Sequence, residues 1–308
     1  MKSTREMRRE AWGMLKGKWF WRLLCVGAVL QLIMQFANGL VAAAFKAVSI
    51  TSVEDFLAAK ISAAQQGLSY SLPTAKAYGW MVGGFCFQMF IAYIFAAIAA
   101  FGFMGLLLKT SRNDDSRWFA DAFGGFARPL EITWLLVLMN LLTVLPVFVC
   151  GLVAGVSWAG LIRGLGPGIG AVLGVAVAVV AVGMGVICAL AVMYGYRQAW
   201  FIKNERPETS ALGCLGASRR MMNGFKWRAF CLDFSFLGWL FAVSGLVAFA
   251  VVGGSVASNL SQPAGVLAAV AAFGFGIAAF WMFIRVILGM AVARVVFYRE
   301  LVAAREES

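Results

Sequence analysis

Few residues in this chain could do chemistry. No histidine occurs among its 308 residues. That removes imidazole acid/base work, histidine metal ligands and the Ser-His and Cys-His nucleophile pairs. Cys25, Cys86, Cys150, Cys188, Cys214 and Cys231 show no Cys-x-x-Cys spacing. Most fall in apolar runs, where a thiol serves as a small buried apolar group. No disulfide, metal or other cofactor is expected. Asp233 is the only acid inside a predicted span, so paired intramembrane carboxylates are missing too. The run Gly164-Leu165-Gly166-Pro167-Gly168-Ile169-Gly170 lacks the Lys-Ser/Thr ending of a phosphate loop and reads as a turn.

Two polar arrangements remain. Gln31, Gln35 and Asn38 stand at i, i+4 and i+7, one face of a helix, and Gln88, Asn140 and Thr143 could complete a polar interior. Such groups either hydrogen-bond helices together, at about 0.6–2 kcal/mol each, or line a solute path. The second arrangement is Asp233 with Arg285. Both are placed about one turn inside the membrane on neighbouring spans, and an intramembrane charge usually finds a partner, so an ion pair is expected.

The elements that must position these residues follow from composition. Apolar residues make up 62% of the chain and charged ones 13%, against about 45–50% and ~25% in soluble domains; mean hydropathy is +0.85. Five stretches carry no charge: Leu23–Phe45, Ala77–Leu108, Ile132–Ile162, Gly164–Tyr196 and Phe234–Ile284. About 20 apolar residues cross the ~30 Å hydrocarbon core. The first four stretches each fit one crossing, and the fifth fits two, divided at Asn259-Leu260-Ser261-Gln262-Pro263. No period-two alternation suggests a barrel, so the spanning elements are helices. The expected fold is all-α, one polytopic bundle with six spans near 20–45, 79–108, 132–157, 168–196, 229–255 and 264–286. The first span exceeds a signal peptide's 7–15-residue apolar region and is expected to stay.

Six spans put the amino terminus, the second and fourth loops and the carboxyl tail on one side. All but four of the 26 basic residues fall there, the exceptions being Lys46, Lys60, Lys76 and Arg163. Positive-inside bias then puts both termini in the cytoplasm. The net charge of +12 is explained by basic flanks that meet anionic headgroups. No recognisable reading surface points to nucleic acid. Trp19, Trp21, Trp200 and Trp227, with Trp80 and Trp158 opposite, suit interfacial belts; Trp134, Trp239 and Trp281 lie deeper, as packing residues.

Residues 3–16 read as an amphipathic surface helix capped by Ser3 or Thr4. Met7, Ala11, Met14 and Leu15 form its apolar stripe, suited to lying on the membrane. Ser52-Val53-Glu54-Asp55 predicts one short helix in the first outer loop. In loop four, Pro207-Glu208-Thr209-Ser210 starts a helix that Gly224 ends. Gly166, Gly170 and Gly174, and Gly151 and Gly155, have the spacing of tight helix packing.

Loop four and the entry to span five carry a resemblance. Ser218, Met222, Gly224, Lys226, Phe230, Leu232, Ser235, Phe236, Gly238 and Trp239 match a pattern of roughly Ser-Lys-x-x-Met-x-Gly-x-Lys, Phe-x-Leu and Ser-Phe-x-Gly-Trp. It resembles that of domain of unknown function 975, a multi-pass membrane family found mostly in bacteria. Ala11–Gly17, Phe123–Phe126, Tyr194-Gly195-Tyr196 and Phe297-Tyr298 are similar to its further motifs. The chain departs at Ile187-Cys188-Ala189, where the family has Ile-Pro-Gly, and near Ile284-Arg285, where it has Pro-Tyr. The resemblance implies an architecture and a bacterial inner membrane, with no established activity. Physically the motif reads as a membrane-entry device, structural or partner-binding, in which Gly238 allows close helix approach. The expected function is a non-enzymatic scaffold, assembly or envelope-homeostasis component, acting with a membrane-protein partner or as a homo-oligomer. The alternative is a small-solute transporter or channel using the polar face of span one.

Overall fold

The computed structural model describes residues 2–47, 60–62, 65–66, 75–116, 118–166, 168–257 and 262–306. Among them the chain is helical, with no strand. A short amphipathic helix α1 (Thr4–Met14) precedes α2 (Lys18–Ala47) and α3 (Ala75–Arg112). Then come α4 (Trp118–Ala122), a 3-10 turn (Gly124–Ala127), α5 (Pro129–Leu165) and α6 (Ile169–Tyr196). The fourth connection folds into α7 (Ala199–Glu205), α8 (Ala211–Met221) and α9 (Lys226–Phe234). The chain ends with α10 (Leu237–Ala257) and α11 (Gln262–Glu306). Six helical stretches are long and apolar enough to cross a membrane. Of the short helix expected from Ser52, only residues 60–62 and 65–66 are described, and residues 60–62 are helical; the rest lies outside the described residues.

The long helices pair as antiparallel hairpins, α2 with α3, α5 with α6 and α10 with α11. Gly166 turns α5 into α6 at φ +82°, a left-handed conformation that side chains with a Cβ rarely adopt. Two of the glycines at four-residue spacing then bring that hairpin together. A Cβ on Gly170 would stand 2.4 Å from the Leu161 carbonyl oxygen, and one on Gly174 2.0 Å from the Trp158 ring. Gly151 and Gly155 face open space and contribute nothing to packing.

Burial is uneven along these hairpins. The core gathers Leu106, Leu107, Ile132, Leu135, Phe201, Leu232, Phe236, Val292 and Phe297 at the end that holds both termini. The opposite halves, through Val144, Val156, Val172, Val180, Phe249 and Phe273, are exposed. Lipid tails solvate apolar side chains as well as other helices do, so nothing forces those halves to close. Apolar burial acts only where helices emerge into water. α11 makes the change visible: its 45 residues span about 67 Å at 1.5 Å each. That length carries its carboxyl half well beyond the hydrocarbon core.

This distribution reassigns several aromatic residues. Trp19 is 5% exposed and Trp200 6%, so both belong to the packed end rather than to a belt. Trp19 donates from Nε1 to Asn113 Oδ1 at 2.9 Å. Trp134, Trp239 and Trp281, expected to pack, are substantially exposed, while Trp21 and Trp227 remain on the surface as expected. α1 has its capping box at Ser3 and Glu6, yet Met7 and Ala11 pack on the chain's own α11 and α9 rather than on lipid.

Gly102 on α3 offers a direct test of the packing. A Cβ there would lie 1.8 Å from the Ala122 carbonyl oxygen, and backbone cannot yield as a side chain can. Gly102→Ala is expected to destabilise the fold by about 1–3 kcal/mol in detergent unfolding. Gly83→Ala, at an open position, is expected to leave stability unchanged or raise it.

Candidate functional site

The residues singled out by sequence sort into two groups. One converges on the end that carries both termini. α6 stops at Tyr196, the chain turns through Arg197 and Gln198, and α7 resumes at Ala199. α8 docks against this turn. Its Ser218 is fully buried, donates to Gly195 O at 2.9 Å and accepts from Gln198 N at 3.2 Å. The turn thus satisfies one backbone donor and one acceptor through one hydroxyl. Met222, also fully buried, accepts from Gln198 Nε2 at 3.7 Å. α8 begins on Ser210, whose hydroxyl accepts from Gly213 N. Gly224, at φ +81°, reverses the chain into α9, where Lys226 lies beside Gly195.

α9 presents Asp233 to three elements at once. Arg197 grips it with both nitrogens, Nη1 to Oδ2 at 2.6 Å and Nη2 to Oδ1 at 2.8 Å. Tyr194 donates its hydroxyl to Oδ2 at 3.0 Å, and Arg294 Nε lies 3.6 Å from Oδ1. A forked contact of this kind is the strong form of an ion pair. The expected partner, Arg285, is elsewhere: its guanidinium sits over the Phe20 ring, 5.8 Å from the centroid. The helix break explains the correction. Ser235 and Phe236 separate α9 from α10, which begins at Leu237, so a depth counted along one continuous helix does not place Asp233. On α11 it therefore meets Arg294, nine residues (about 13 Å) beyond Arg285.

The rest of the motif builds the same junction. Phe230 packs against Tyr194, Trp227 and Phe234. Ser235 donates to Leu232 O at 2.6 Å, and its own carbonyl accepts from Arg8 of α1 at 2.9 Å. Phe236, fully buried, and Trp239 both meet Trp12. A Cβ on Gly238 would meet nothing within 4 Å, so this glycine is not a site of close helix approach.

Sequence reasoning missed a second lock. Lys203 is 2% exposed and gives its three protons to Glu131 Oε2 (2.8 Å), Pro207 O (2.8 Å) and Thr209 O (2.9 Å). Nearby, Glu205 accepts from Tyr298 at 2.6 Å and pairs with Arg112. Lys203 stood in a loop counted only for its charge. Its one available signal was the Pro207 four residues on, whose neighbours leave carbonyls to be satisfied. Loop two is tied in by Asp115, which accepts from Lys18 and Arg22. Those bonds, Lys18 first, hold its carboxyl below the usual range. This tie is therefore complete above the unfolded carboxyl value near ~4 and is lost as pH falls through the lower folded value.

The second group does not assemble. Gln31 and Gln35 are exposed on the outer surface of α2, and Asn140, also exposed, donates to Tyr93. Thr143 bonds its own helix at Met139 O, and Gln88 is half-buried on α3. Asn38 Oδ1 is buried and accepts no bond among the described residues. A cleft of about 780 Å³ opens instead at the terminal-bearing end, lined by charges of both signs that include Lys109, Arg112, Asp121 and Glu205. Among the described residues no group of three or more Cys, Asp or Glu could hold a metal ion.

This junction coincides with the residues that carry the family pattern. The family described as "Protein of unknown function (DUF975)" matches residues 1–305. The chain belongs to that family. No curated protein matches it, and no solved structure does. In this DUF975 chain the most recognisable motif residues are those that join α6, α8, α9 and α1.

Ser218→Ala is expected to cost about 1–3 kcal/mol, because it strands a buried donor and acceptor at once. Lys203→Met leaves the Pro207 and Thr209 carbonyls without their donor, while the exposed Glu131 turns to water, and is expected to cost about 1–3 kcal/mol. Reversible unfolding in mixed micelles checks both. Wild-type stability in either variant would show that these bonds do not hold the junction.

Proposed function

We propose that this chain is a non-enzymatic scaffold or assembly component of a bacterial cytoplasmic membrane, with both termini, loop two and loop four in the cytoplasm. The orientation rests on the basic residues gathered at the terminal-bearing end, which positive-inside bias retains on the cytoplasmic side. The function rests on one observation: three little-exposed polar side chains of that end, Ser218, Lys203 and Asp233, are engaged in holding elements of the chain together. Ser218, Lys203 and Asp233 each bridge two or more elements. Glu205, which lines the cleft at that end, is likewise taken up by Tyr298 and Arg112. Three apolar hairpins standing on a locked base form a lateral surface on which membrane partners or further copies can collect. Of the polar residues that a solute path would use, Gln31 and Gln35 are exposed on α2 and do not meet Gln88, Asn140 or Thr143 in a shared interior.

Thiol accessibility separates this reading from transport. In a cysteine-free background, Gln31→Cys and Gln35→Cys are expected to resist a water-soluble maleimide in intact membranes and to react once the protein is unfolded in dodecyl sulfate, where water reaches and ionises the thiol. Purification from lightly crosslinked membranes is expected to give a reproducible complex of fixed stoichiometry. Labelling of both positions from water, together with a solitary monomer, would overturn the scaffold reading in favour of a path.

A further inference from the structure

A membrane-facing recess of about 430 Å³ lies between α1, α10 and α11, lined by Trp12, Trp239, Trp281, Met282, Arg285 and Val286. Its depth follows from α11. From Ala264, where the apolar span begins, Arg285 is about 21 residues or ~31 Å along the helix. That is one hydrocarbon thickness, which sets the guanidinium at the level of lipid phosphates and Trp281 one turn deeper. Trp12 Cη2 would stand 3.2 Å from a Cβ on Gly289. The absent side chain there lets Trp12 lie against α11 and roof the recess. Trp12 and Trp239 meet edge-on at 6.2 Å, and Trp281 meets Phe20 at 5.3 Å and Trp21 at 5.7 Å.

Arg285 differs from its neighbours on the same helix. Arg294 lies by Asp233, Arg299 donates to Ser111 O at 2.6 Å, and Arg305 donates to Arg220 O. Arg285 is exposed, makes no hydrogen bond or ion pair among the described residues, and lies over the Phe20 face. A guanidinium at the edge of the hydrocarbon core is costly without a counter-charge, and its fork matches a phosphate. The lining holds no acid, so a headgroup ammonium would face Arg285 with nothing to receive it.

We propose that this recess binds one anionic glycerophospholipid of the leaflet at the basic end. Its phosphate sits on Arg285, and its acyl chain runs along Trp281 and Met282. The site is independent of the scaffold reading, since a transporter could carry it equally well.

The purified full-length chain in nanodiscs, or in detergent with graded lipid, tests this by native mass spectrometry. Wild type is expected to retain one phosphatidylglycerol in preference to phosphatidylcholine. Arg285→Gln is expected to lower that preference about tenfold, the worth of one charge-assisted hydrogen bond. Arg285→Lys should keep part of it, and Trp281→Leu should weaken it with the charge intact, which covers an Arg285→Gln variant that fails to fold. Arg5→Gln, an exposed charge on α1 away from the recess, should change nothing. Excess glycerol phosphate or inorganic phosphate should not displace the lipid. Equal losses from Arg5→Gln and Arg285→Gln would show diffuse attraction only, and displacement by free phosphate would show an anion site rather than a lipid site. Either result overturns the proposal.

Discussion

A carboxylate close to the membrane cannot stay unpaired, and much of this molecule is arranged around that constraint at Asp233. Its side chain is 15% exposed and that of Arg197 11%, so water screens the pair little. Desolvation of two such groups is repaid only by excellent geometry and further hydrogen bonds. Arg197 supplies the forked contact and Tyr194 an additional hydroxyl, with Arg294 adding positive charge. To place those groups, α6 must end at Tyr196, α9 must separate from α10, and α11 must continue far beyond the membrane. Three separate helices thereby become one junction.

The solvent on either side of that junction explains the rest. Hydrophobic burial works against water and is nearly silent within lipid. The helices therefore pack where they leave the bilayer, at Phe201, Leu232, Phe236 and Phe297, and stand as hairpins within it. Inside the bilayer, close approach depends on missing side chains, as at Gly170 and Gly174 against Leu161 and Trp158. α1 belongs to the same logic. Its apolar stripe looked suited to a membrane surface, but α9 and α11 offer a better-matched apolar wall. Arg8 then bonds the carbonyl of Ser235 at the helix break.

The six crossings were legible because charge is excluded from hydrocarbon over ~30 Å, a constraint written residue by residue. The caps at Ser3 and Ser210 and the reversal at Gly224 were legible because they are local. Partners were harder. Asp233 announced a need for a cation, yet depth counted along an assumed continuous helix chose Arg285. The break at Ser235 and Phe236 lies in ordinary helix-compatible residues, and Phe236 there meets Trp12 of a distant helix. Lys203 and Trp19 were misjudged for a related reason. Charge and amphipathic character suggest a surface, whereas three carbonyl and carboxylate oxygens, or one asparagine, can satisfy such groups in the interior.

Asp233 bonds the end of α6 to α9, and on that bond the junction depends. A double-mutant cycle of Asp233→Asn and Arg197→Gln, followed by reversible unfolding in mixed micelles, measures it most directly. The structure predicts a coupling of about 1.5 kcal/mol or more between these two positions, and a coupling near zero for Asp233→Asn with Arg285→Gln. Additive effects of Asp233 and Arg197, with strong coupling to Arg285 instead, would contradict it.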